Sequence, residues 1–172
     1  MSSVRRSQFG PLGWPEQWLR VRRWHQRVAP ILADPPPPRS PGEADAADDV
    51  FAFFMNCYHL KDWLKNDLAD PHPEAEKFVD DTEVLRICRD LCNGLKHAVL
   101  ERRRTTTYPM MTTSASVLHD PAESVTNDSS APIVQWLIVL DDGDERDMAT
   151  VADECIKAWQ RFIGGLTSRY IG

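Results

Sequence analysis

The stretch TEVLRICRDLCNGLKHAVLER, Thr82 to Arg102, decides how the chain is read. At about 100° per residue, Val84, Cys88, Leu91, Cys92, Leu95 and Val99 fall on one stripe, and Arg86, Asp90, Asn93 and His97 gather opposite. Faces that separate this cleanly predict an amphipathic helix over Thr82–Arg102 with its polar residues toward solvent. Gly94 is the odd member. Glycine inside a helix costs about 1 kcal/mol against alanine, which a close backbone approach or a ligand on that face would justify.

Three more segments carry the same period. Trp14 to Ala29 or Leu32 reads as a first helix, with Pro15 in the first turn where its missing N–H costs nothing. Its apolar face is Trp14, Trp18, Val21, His25, Val28 and Leu32, and Arg20, Arg23 and Arg27 form a basic stripe on the solvent side. His25 sits inside the apolar stripe and reads as a core histidine with one hydrogen bond. Asp49 to Leu68 reads as a second helix with core face Val50, Phe53, Phe54, Cys57, Leu60, Leu64 and Leu68. Phe51, Met55 and Tyr58 widen that face, so this helix is predicted to be central, leaving His59, Asp62 and Asn66 as a polar line. Met148 to Arg169 reads as a fourth helix with stripe Met148, Val151, Cys155, Trp159, Phe162 and Leu166.

Segments rich in proline or small polar residues separate these helices: Asp34–Asp48, Asp70–Asp81 and Asp120–Pro132, all read as non-regular. Thr105–Thr113 and Ile133–Leu140 are rich in β-branched and apolar residues and read as two antiparallel strands, the first at an edge because of Pro109. The acidic run Asp141–Glu145 lacks the spacing of a calcium loop and reads as a turn leading into the last helix. The predicted fold is mainly α: a four-helix bundle with a two-stranded β-hairpin inserted between helices three and four. Residues 1–172 form one helical-bundle domain in this reading. Residues 1–13 make an N-terminal arm, 34–48 a proline-rich loop, and 103–145 the hairpin insertion, with a mobile loop over 120–132. An α+β fold, in which Val117 and Leu118 extend a larger sheet, is the alternative.

Composition narrows the function classes. With 42% apolar and 27% charged residues in 172, the chain can bury one core and is not a disordered or fibrous sequence. Its longest apolar runs, Val50–Met55 and Trp136–Leu140, fall far short of the ~20 residues that span a bilayer. The first ten residues show no secretory signal, so no membrane partner and a cytoplasmic location are predicted. The net charge is −6, but residues 1–33 hold six arginines against Glu16, leaving the rest of the chain strongly acidic. Such a balance opposes indiscriminate attraction to phosphates, although a local basic face can still bind a nucleic acid or an acidic partner. Cys57, Cys88, Cys92 and Cys155 show neither disulfide-scaffold spacing nor a C-x-x-C pair, which predicts reduced, buried thiols and no structural zinc.

The strongest chemical lead is RDLCNGLKH, Arg89 to His97. Asn93 and His97 are four apart, so the amide can fix which ring nitrogen carries the proton, and Asp90 can orient Asn93 or pair with Arg86. Lys96, Arg86, Arg89 and the run Arg102, Arg103, Arg104 supply cations for a phosphodiester. A histidine beside such cations can deprotonate a ribose hydroxyl without a metal or cofactor. A competing arrangement sets His59 and Asp62, at i and i+3, against Asp90 or His97 as ligands to a metal. A buried network of His59, Asp62 and Asn93 that fixes helix register is the plainer alternative.

On the helices and on the stretch ending at His97, the chain resembles the HEPN superfamily, whose members include metal-independent ribonucleases and non-catalytic relatives. In active members an arginine stands four to six intervening positions before the histidine, whereas Arg89 has seven; the N-x-x-x-H half is present in Asn93 and His97. The strings D-W-L (Asp62–Leu64) and D-x-x-N-G-x-K-H (Asp90–His97) also resemble a group of bacterial proteins of unassigned role. The resemblance implies a homodimer with the polar faces of helix three meeting, and a ribonuclease using His97, Asn93, Asp90 and Lys96 on RNA. Its second implication is a non-catalytic domain that docks a partner protein, as in defence or toxin–antitoxin pairs.

Overall fold

The computed structural model describes residues 13–96, 110–116, 133–140 and 142–169. These residues are mainly helical, with a small antiparallel sheet: α1 (Trp14–Ala33), α2 (Glu43–Lys65), α3 (Glu74–Asp81), α4 (Glu83–Lys96), β1 (Met110–Ser116), β2 (Ile133–Val139), β3 (Glu145–Asp147) and α5 (Met148–Arg169). As its apolar breadth predicts, α2 is central and packs against every other helix. Phe53, Phe54, Cys57, Leu60 and Leu64 on it are wholly buried.

α1 opens after Gly13 with Pro15 in its first turn, and the Trp14 N–H donates to Asp67 Oδ2 at 2.9 Å. That bond pins the start of α1 to the segment following α2. His25 lies against the Phe53 ring and pairs with Asp153 on α5 at 2.7 Å, so it is a half-buried bridge at the edge of the core.

α2 begins at Glu43, six residues before the predicted start at Asp49, and so consumes much of the expected 34–48 loop. Beyond Pro41 nothing stops a helix, the alanines at 44, 46 and 47 favour one, and Glu43 and Asp45 suit its positive end. At the other end α2 stops at Lys65. Leu68, predicted on its core face, is 95% exposed. Asp67 accepts the N–H groups of Ala69 and Asp70, turning the chain back before a further helical turn can form.

The larger correction is α3, where Asp70–Asp81 was expected to be non-regular. Pro71 and Pro73 precede the helix instead of interrupting it, and proline is tolerated there because those N–H groups have no intrahelical acceptor. α3 buries Ala75 and Val79 and packs on both α2 and α4.

The sheet has three strands in the order β1-β2-β3, one more than predicted. β1 pairs with β2 from Met110↔Val139 to Ser116↔Ile133, and β2 pairs with β3 from Leu137↔Asp147 to Val139↔Glu145. β1 extends to Ser116, past the predicted end at Thr113; Pro109 lies outside the described residues. Of the acidic run after β2, residues 142–144 form a turn, in which the Gly143 N–H donates to the Leu140 carbonyl and Gly143 has φ of 90°, a left-handed conformation open to glycine; Asp141 lies outside the described residues and Glu145 begins β3. Backbone pairing then resumes in β3. Trp136 and Ile138 face the core, where α5 packs on β2 and β3. Asp147 caps α5 by accepting the N–H and hydroxyl of Thr150, both at 2.8 Å.

Candidate functional site

Of the predicted core stripe on α4, Val84, Cys88, Leu91 and Cys92 are buried; the Leu95 side chain and Val99 lie outside the described residues. The opposite face is not the solvated surface expected. Asp90 is buried, and so is Arg89, whose Nε donates to Asp90 Oδ1 at 3.1 Å and whose Nη1 donates to Asp80 Oδ1 at 2.8 Å. Arg86 donates to the Asp80 backbone carbonyl at 2.9 Å, whereas the sequence had allowed it Asp90 as a partner. α3 packs on α4 here, and its Asp80 supplies the acceptors of both arginines. Asn93 stays half-buried; the described part of α4 runs to Lys96, whose side chain lies outside the described residues. His97, Arg102, Arg103 and Arg104 lie outside the described residues.

The polar line of α2 forms a second cluster. His59 Nδ1 lies 3.1 Å from Asp62 Oδ2, and Lys61 donates to Asp62 Oδ1 at 2.8 Å and to Glu76 Oε1 of α3 at 3.3 Å. Lys65 completes the group on Glu76 Oε2 at 2.7 Å, and Asn66 donates to the Asp62 carbonyl. Burial works against the charge on Lys61, but the Asp62, Tyr58 and Glu76 neighbours hold its pKa above the ordinary lysine value. Burial also opposes charge on Asp62, yet the hydrogen bonds from Lys61 and His59 hold that carboxyl below its usual range. Tyr58, half-buried with Lys61 5.0 Å from its ring centre, is raised chiefly by burial. Each charge here is answered by another, which describes a register-fixing seam between α2 and α3.

A third cluster has no sequence motif. Cys57 on α2, Cys88 on α4 and Cys155 on α5 are wholly buried and free, and their sulfur atoms all lie within 4.8 Å of one another. The prediction of reduced, buried thiols is met; their convergence was not foreseen. Each cysteine occupies the core stripe of its helix, and three such stripes meet at one point. The Cys88 thiol reaches the Phe54 carbonyl at 3.3 Å and the Cys155 thiol the Val84 carbonyl at 3.6 Å. Burial pushes all three thiols up. At Cys57 the hydrogen bonds from Cys155, Cys88 and the Trp159 indole outweigh it and bring the thiol below its ordinary value, while Cys88 and Cys155 stay well above theirs. Cys92, also buried, stands one turn after Cys88 on the side of that sulfur.

The chain matches no protein-family model, no curated protein and no solved structure. Among the described residues no helix is long and apolar enough to cross a membrane. The class that fold and sites define is thus a mainly helical protein with a three-stranded antiparallel sheet, two salt-bridged seams and a buried group of thiols.

Proposed function

We propose that the chain is a non-catalytic, HEPN-like interaction domain that docks a partner protein, and not a ribonuclease. The observation that carries this reading is Arg89. It is the arginine nearest in sequence to the place where an active HEPN signature needs one, and it lies buried between two carboxylates. A phosphate reaching for it would have to displace Asp90 and Asp80, which hold its guanidinium at 3.1 and 2.8 Å. The basic stripe of α1 is similarly engaged: Arg23 pairs with Glu16, Arg27 with Asp49, and Arg20 donates to Gln17 and lies over the Trp63 ring. A protein partner needs no run of free cations, and an acidic surface recruits one with a basic face.

The test is to incubate the purified chain with single-stranded RNA in EDTA at low salt. Intact RNA that migrates apart from the protein supports this reading. Cleavage that leaves a cyclic phosphate and disappears in a normally folded His97→Ala variant overturns it in favour of acid–base catalysis by His97.

A further inference from the structure

We infer that Cys57, Cys88 and Cys155 form a three-sulfur site for a thiophilic closed-shell metal ion, Zn2+ or Cu+, buried where α2, α4 and α5 meet. An ion equidistant from three sulfurs at a bond length of ~2.3 Å places them about 4 Å apart. The sulfurs already lie within 4.8 Å of one another, so closing on an ion takes rotamer adjustment and no helix displacement. The donor set is all sulfur, which selects soft ions over magnesium, calcium or manganese.

The surroundings give an independent reason. The Trp159 indole N–H is buried without a hydrogen-bond partner of normal geometry, and it is close enough to Cys57 to act on its thiol. The Cys88 and Cys155 thiols have backbone carbonyls as acceptors, but a neutral thiol is itself a weak acceptor, so the indole N–H is left without a good one. Replacing S–H protons by a metal ion reverses the balance: thiolate sulfurs accept the indole N–H strongly. Each thiolate that binds releases one proton to solvent. Since the site is sealed, the ion is captured as the helices assemble.

The experiment uses the full chain, reduced and stripped of metal in urea under anaerobic conditions, then refolded in separate arms with increasing Co2+ as the spectroscopic stand-in for Zn2+, with Zn2+ against a chromophoric chelator, and with Cu+ supplied as a chelate. The expected result is one ion per chain in one arm, with thiolate-to-cobalt charge-transfer absorption if the ion is Zn2+, and a rise of about 5–10 °C in the unfolding midpoint at saturating ion. Cys57→Ala and Cys155→Ala should weaken binding by more than about tenfold, and Trp159→Phe, which keeps the ring and loses the N–H, by about tenfold. Cys92→Ala should keep the ion. A wild-type chain with native circular dichroism that takes up neither ion overturns the inference, as does equal affinity in Cys57→Ala. So does a disulfide among these cysteines, found by peptide mapping, in a chain that binds no metal. Because the readout is metal stoichiometry, failure here leaves the interaction-domain reading intact, and the RNA experiment leaves this one intact.

Discussion

Replacing Asp90 with alanine distinguishes a buried α4 face from a solvated one. On an exposed helix face, Asp90 would contribute a surface pair worth about 0.3–0.5 kcal/mol, and its loss would be barely measurable. In the structure Asp90 and Arg89 have side-chain exposures of 7% and 8%, whereas Asp80, the other carboxylate on Arg89, is 60% exposed. Removing Asp90 takes away the buried carboxylate on the Arg89 Nε, whereas Asp80, on its Nη1, is mostly hydrated. Breaking one side of a buried pair costs about 3–5 kcal/mol, because the surviving charge stays desolvated. At roughly 2–4 °C per kcal/mol for a chain of this size, that is a fall of about 10 °C in the unfolding midpoint. Urea unfolding of wild type and Asp90→Ala at neutral pH measures it, with Arg86→Ala, which loses one contact to a carbonyl, as a control expected to cost under about 1 kcal/mol. The double variant Arg89→Met/Asp90→Leu should recover most of the loss, since an apolar pair removes the stranded charge. A loss below about 1 kcal/mol in Asp90→Ala would refute the buried-pair argument and return this face to solvent.

Three further outcomes follow from other parts of the fold. Asp62, Asp67 and Glu76 are all held below their ordinary carboxyl pKa by hydrogen bonds that outweigh burial or reinforce a neighbouring lysine, so their stabilisation is complete above the unfolded values of 3.8 and 4.5 and drains away as pH falls through the lower folded ones. The unfolding midpoint should therefore drop more steeply between about pH 5 and 3 in wild type than in Asp67→Asn; equal slopes would count against the Asp67 bonds to Trp14, Ala69 and Asp70. A Cβ at Gly13 would stand 2.8 Å from Asp67 Oδ2, so Gly13→Ala should displace that carboxylate and cost about 1–2 kcal/mol, non-additively with Asp67→Ala in a double-mutant cycle. Phe54→Ala, which removes a wholly buried ring from α2, should cost about 3–5 kcal/mol by denaturant unfolding, whereas Leu68→Ser should stay within about 0.5 kcal/mol; comparable losses would place Leu68 in the core.

What the sequence determined by itself is what short-range periodicity encodes. The stripes of α1, α2, α4 and α5 and the central place of α2 are readable because apolar residues repeat every three to four positions, and the strand character of Ile133–Leu140 because a short run of β-branched and apolar residues is bounded by turn formers. Proline and aspartate misled at the edges: Pro71 and Pro73 mark a boundary that can be the end of one element or the start of the next, and periodicity over eight residues is too short to choose. Missing α3 was enough to misplace Arg89 and Asp90, since a helix read alone shows which residues share a face but not what covers it. The thiol group lay beyond the sequence for the same reason. Cys57, Cys88 and Cys155 each announce only a small apolar position on its own stripe, and their meeting depends on the crossing of three helices, a long-range geometry that no local spacing records. Tertiary packing alone decided that these sulfurs converge and that Arg89 is enclosed.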